Sequence, residues 1–166
     1  MKYLTNNHKI VVIAAFVMMM TYGFATNAYA LFHAKDFKIT NFGIHDHTPF
    51  LKVKGKAGGS KPVNLKTIYG YVFKTNAGIF GVVSHHGKDS IHQKGPNDTS
   101  YHAHKVTLDK NNCITSLKDR GIPSFGGHVL KLHDTHATKV NGVLTAKITA
   151  FNSHHICVTK VFDSKP

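Results

Sequence analysis

The chain contains no glutamate, and Arg120 is the one arginine among its 21 basic residues. Without glutamate a His-Glu-x-x-His zinc protease is excluded. The scarcity of arginine argues against nucleic acid as a partner, because the planar guanidinium is the usual bidentate reader of phosphate and guanine. All four methionines lie within the first 20 residues. Past that point no thioether is available, which excludes a blue-copper centre with axial methionine and Cu(I) sites built on thioethers. A Gly-x-Ser-x-Gly elbow and a Gly-x-x-x-x-Gly-Lys phosphate loop are both absent, so the common serine hydrolase and phosphate-binding signatures are missing. Cysteine is limited to Cys113 and Cys157.

What is present begins with a tripartite N-terminus. Lys2, His8 and Lys9 precede an apolar run over residues 10–20, and Ala28-Tyr29-Ala30 forms a small-x-small cleavage site. This pattern predicts a secretory signal peptide over 1–30. The apolar run is shorter than the roughly 20 residues that span a bilayer; the alternative is an uncleaved segment kept as an anchor. The expected location is extracytoplasmic: secreted, at the cell surface or in a periplasm-like space. Residues 31–166 then make a single domain, with 19 basic residues against 8 aspartates, a net charge of +11. Such a charge attracts anions, so an anionic cell-surface polymer or lipid head groups are expected partners alongside any metal ion.

No twelve-residue stretch beyond residue 30 has helical periodicity. Runs rich in Val, Ile, Thr, Tyr and Phe alternate with Gly, Asn, Asp and Pro. Strands are predicted over 36–42, 50–54, 65–75, 79–85, 100–108, 113–117, 127–133, 137–140, 143–152 and 155–162. Asn141-Gly142 suits a type I′ hairpin turn, Asn76-Ala77-Gly78 a three-residue connection, and residues 109–112 a turn cluster. Longer loops are predicted over 56–62, 87–99 and 118–126. The fold class is therefore all-β, an antiparallel β-sandwich of immunoglobulin-like or related type. In an exported chain Cys113 and Cys157 are expected to form a disulfide, which removes both thiolates as metal ligands.

Histidine is the outstanding excess: 13 lie between residues 31 and 166. On a strand, His102 and His104 point to one face about 6.6 Å apart along the chain, a spacing from which two imidazoles reach one metal at about 2.0–2.1 Å. They share that face with Val106 and Leu108, which turns them toward the core. His128 shares a face with Leu130 and Leu132 in the same way. The predicted ligand set is His102, His104 and His128, with His85 or His86 as the fourth. His133 and His136 flank Asp134 in a predicted turn, a candidate second site or a supporting carboxylate. Imidazole ligands suit copper or zinc. No catalytic residue stands out, which leans away from an enzyme.

The order His102, His104, Cys113, Cys157 on a disulfide-braced β-sandwich resembles Cu/Zn superoxide dismutases, which implies a His-ligated metalloenzyme. The chain departs from that pattern at the glycines flanking the strand pair, at the spacing of the later histidines and in having no arginine shortly before Cys157. Residues 101–117, YHAHKVTLDKNNCITSL, are similar to a segment of small exported β-proteins of ammonia-oxidising archaea. That resemblance implies an extracytoplasmic setting and copper-dependent physiology, and assigns no ligand. The function expected from the sequence is sequestration or delivery of copper or zinc. The alternatives are a metalloenzyme on the same ligands and a non-catalytic cationic domain that binds an acidic cell surface.

Overall fold

A computed structural model describes residues 34–59, 67–85, 90–95, 98–151 and 155–162. The predicted signal segment 1–30 lies outside these residues. So does His86. No helix among the described residues is long and apolar enough to cross a membrane.

A short 3-10 turn, Ala34–Asp36, leads into ten strands: β1 Ile39–His45, β2 Thr48–Val53, β3 Thr67–Thr75, β4 Gly78–Val83, β5 His102–Leu108, β6 Ile114–Asp119, β7 Ile122–Gly126, β8 Val129–His133, β9 Val140–Phe151 and β10 His155–Phe162. All pair antiparallel, in two sheets ordered β1-β2-β8-β7 and β10-β9-β3-β4-β5-β6. The fold is all-β and sandwich-like.

The two sheets meet over an apolar core of Phe37, Leu51, Val53, Tyr71, Phe73, Phe80, Val82, Ala103, Leu130, Leu132 and Val143. Tyr71 carries a deep polar pairing within that core. Its hydroxyl donates to the Asp36 carbonyl oxygen at 2.7 Å and accepts from the Gly58 N–H at 3.1 Å, while its ring stacks on Phe37. Burial pushes the phenol up to about 12, so it stays a neutral donor at any ordinary pH. Tyr71→Phe leaves both backbone groups to find other partners in an apolar setting. The expected loss is about 1–3 kcal/mol, read as a lower urea midpoint with unchanged slope.

The larger sheet has a second apolar face, partly covered. It rolls until its two edges meet: Cys113 and Cys157 form an isolated antiparallel bridge joined by a disulfide, and the Val158 N–H donates to the Asn112 carbonyl oxygen at 2.9 Å. The inside of this nearly closed roll is apolar. Even-numbered positions of β5 and odd-numbered positions of β4 point into it, whereas Phe80, Val82 and Ala103 point to the other sheet.

Several local expectations are corrected. Asn141 and Gly142 lie inside β9, where Gly142 pairs with Lys74. The type I′ turn falls instead at Asp46-His47, two positive-φ residues closing the β1–β2 hairpin. Aspartate and histidine tolerate that conformation better than most residues. Thr75 pairs with Gly78, so the β3–β4 connection is the two residues Asn76-Ala77. Of 137–140 only Val140 is strand, and the first strand begins at Ile39 because residues 34–36 form the 3-10 turn. The predicted loop 118–126 contains the end of β6 and all of β7. β7 carries Pro123, and it is tolerated because β7 is an edge strand. Gly121, at φ +95°, makes the passage between sheets; a Cβ there would stand 3.1 Å from Leu132 Cδ1 and 3.3 Å from Ala103 Cβ.

Candidate metal centre

His102 and His104 alternate on β5 with Ala103, which belongs to the inter-sheet core. Period-two geometry therefore sends both imidazoles into the rolled sheet, and they are 0% and 3% exposed. They are buried, as their shared face with Val106 and Leu108 suggests, but on the inside of the roll and not between the sheets. On β4 the same face carries Ile79, Gly81 and Val83. Gly81 pairs with His104 and Val83 with His102; His85 continues the alternation two residues beyond Val83.

The three rings converge. Each of His85, His102 and His104 offers a ring nitrogen, and these nitrogens all lie within 4.8 Å of one another. His102 is the central ring: its centroid is 4.7 Å from that of His85 and 5.0 Å from that of His104, both nearly perpendicular. Its Nε2 stands 3.1 Å from His85 Nε2. Two nitrogens on one tetrahedral ion at about 2.0–2.1 Å would be roughly 3.3–3.4 Å apart, so this pair needs little adjustment. His102 Nδ1 lies 3.0 Å from the Ser100 carbonyl oxygen. A carbonyl only accepts, so Nδ1 carries the proton and Nε2 presents its lone pair to the centre, the tautomer that ligating histidines usually have fixed for them.

A carboxylate stands beside this group. Asp119 pairs with His104 across β5 and β6. Its Oδ2 accepts from the Ile91 N–H at 2.7 Å and its Oδ1 from the Ser90 hydroxyl at 3.0 Å. Partial burial pushes the Asp119 carboxyl up, but the Ile91 and Ser90 hydrogen bonds and the nearby His104 and His92 outweigh it, leaving it below the usual carboxylate range. Asp119 thus holds the segment from Ser90 to the rim of the roll. Asp98 braces the next stretch, accepting from the backbone N–H groups of Lys94 and Ser100 at 2.8 Å each. A depressed carboxyl contributes above its ordinary pKa, and that contribution fades as pH falls through the folded-state value. Protection of the Ile91 amide against hydrogen exchange is therefore expected to decline in acid. Asp119→Ala should lower it about tenfold at neutral pH, the scale of one ordinary hydrogen bond.

The remaining sequence candidates sit elsewhere. His128 precedes β8 on the smaller sheet, exposed, with its Nδ1 on the Gly55 carbonyl oxygen. It is not among the three converging rings. His133 Nε2 faces the Ser124 hydroxyl at 2.9 Å. Asp134 lies 3.8 Å from both Arg120 and His136 Nε2. Asp134 and His136 both adopt positive φ in the β8–β9 connection, and both are exposed. Asp119 and Gly81 were not singled out by the sequence. Continuing the alternation of strand 113–117 by one step places Asp119 on the face of Leu117, and that extension was the available signal.

Comparison of the chain with protein-family models, with curated proteins and with solved structures finds no match, so the reading of the site rests on its own geometry.

Proposed function

We propose that this is a metal-binding protein that holds one copper or zinc ion through His85, His102 and His104 and sequesters or delivers it outside the cytoplasm. The observation that carries the reading is the convergence of three ring nitrogens within 4.8 Å, two from β5 and one from just past the end of β4, two of the rings being buried. Neutral imidazoles suit both metals. Burying an ion costs free energy unless charge compensates it, and the Asp119 carboxylate beside His104 supplies negative charge. The disulfide and the signal-like N-terminus support an extracytoplasmic setting. A net charge of +11 over residues 31–166 supports attraction to anionic polymer or lipid head groups, which would keep the protein near a surface.

A second reading, a metalloenzyme, is favoured by one feature: the convergent group has three protein ligands, the number that catalytic zinc sites use while keeping a fourth position open. Both readings require the metal first. Titration of the untagged protein with Zn²⁺ or Cu²⁺ against a competing chelator is expected to show one tight equivalent. Absence of any tight equivalent for either ion overturns the reading. Exchange of bound water on the loaded site then separates catalysis from storage.

A further inference from the structure

The inside of the rolled sheet contains a cavity of about 80 Å³ that is partly open to solvent where Leu117 and Ile156 are exposed. Its walls are aliphatic, from residues such as Ile79, Val106, Leu117 and Ile148, and His104 and His85 line it as well. The histidine cluster is thus the polar end of an otherwise apolar chamber. Gly81 is the second observation. It lines the same cavity, pairs directly with His104, and a Cβ built on it would meet nothing within 4 Å. Its φ is not in the left-handed region, so no turn or strain calls for glycine there. Mid-strand glycine weakens a strand and commonly marks a place where something approaches the backbone closely. Here it keeps space open beside a ligand histidine.

We propose that this chamber binds a small, uncharged, apolar molecule, a diatomic gas or a hydrocarbon of a few carbons, against Gly81 and His104. Size and chemistry set the class. An apolar cavity of about 150 Å³ stays dry and takes benzene or xenon; this one has about half that volume. A charged guest would lose its hydration with only imidazoles to replace it. The inference that such a guest reaches the metal as an added ligand rests on the metal-binding reading above. Occupation of the chamber itself does not.

The test uses xenon as the guest and Co²⁺ as the reporter of the histidine site, on the whole protein. ¹²⁹Xe NMR of the metal-free wild type is expected to show one saturable site. Gly81→Leu puts a side chain into the chamber at a position where a Cβ meets nothing within 4 Å, and is expected to abolish the saturable shift. Val106→Phe, one step along β5 on the same face, should do the same if Gly81→Leu does not fold. No saturable xenon site in wild type, or an undiminished one in the folded filled variants, overturns the chamber. Saturable xenon in a wild-type protein that takes up none of Co²⁺, Zn²⁺ or Cu²⁺ leaves the chamber standing and removes the metal reading.

Discussion

Replacing His102 with alanine is expected to weaken metal binding by at least about 100-fold. Loss of a partner that merely orients a ligand already costs about 10–100-fold, and His102 is the ligand between the other two. Its ring is edge-on to both His85 and His104, and its proton is fixed on Nδ1 by the Ser100 carbonyl. Removing it leaves His85, past the end of β4, and His104, on β5, with no ring between them. The side chain is wholly buried, so truncation also opens a void and should lower stability of the metal-free protein. His102→Gln keeps most of the volume and is the variant that separates the two effects: its unfolding midpoint should stay nearer wild type while its metal affinity falls as far as that of His102→Ala. His128→Ala should leave affinity unchanged, because His128 is occupied with Gly55 on the other sheet. Competition titration measures all three. An His102→Gln protein that binds within a few-fold of wild type would place the ion elsewhere.

Removing the disulfide, by Cys113→Ser with Cys157→Ser, is expected to cost about 2–4 kcal/mol of folding stability. The cross-link closes a loop with a sequence separation of 44, for which the chain-entropy estimate is roughly 4 kcal/mol, with measured values often smaller. The bridge is also where the outermost strands of the six-stranded sheet meet. Without it, two strand edges are free to separate and expose the apolar inside of the roll. Metal affinity should change much less than stability. The bridge lies just before β6 near the Leu108–Ile114 pair, whereas His104 pairs with Asp119 at the other end of β6. Six residues of chain, roughly 20 Å, separate Cys113 from Asp119. Urea unfolding in parallel with metal titration measures both effects. Equal loss of affinity and stability would mean that the histidine geometry depends on closure of the roll.

How far the sequence led differs between strands and site for physical reasons. Alternation along β5 was sufficient to set His102 and His104 on one buried face, because period two is a local property of an extended chain. Alternation could not say which buried face. Ala103 and Val106 are both apolar, and only the rolling of the sheet makes two interiors, one against the smaller sheet and one within the roll. His128 obeyed the same alternation beside Leu130 and Leu132, yet those leucines belong to the inter-sheet core of the other sheet. A shared periodicity carries no information about which sheet a strand joins. Asn141-Gly142 has ideal turn chemistry but lies inside β9, where Gly142 pairs with Lys74 and the register shifts at Asn141, since tertiary pairing overrides a local preference of this size. β7 was hidden by Pro123 and its glycines, which read as loop and are tolerated at an edge. The register that sets Asp119 beside His104 depends on the β5–β6 turn, where Asp109 Oδ1 accepts from the Asn111 and Cys113 N–H groups. The sequence showed the turn without its closing geometry.

The account turns on three imidazoles sharing one ion, and pulsed EPR of the Cu²⁺-loaded, untagged protein counts them most directly. Remote-nitrogen couplings from three imidazoles are expected, falling to two in His104→Gln. A spectrum with none, or one that is unchanged when His85, His102 and His104 are all replaced, would contradict it.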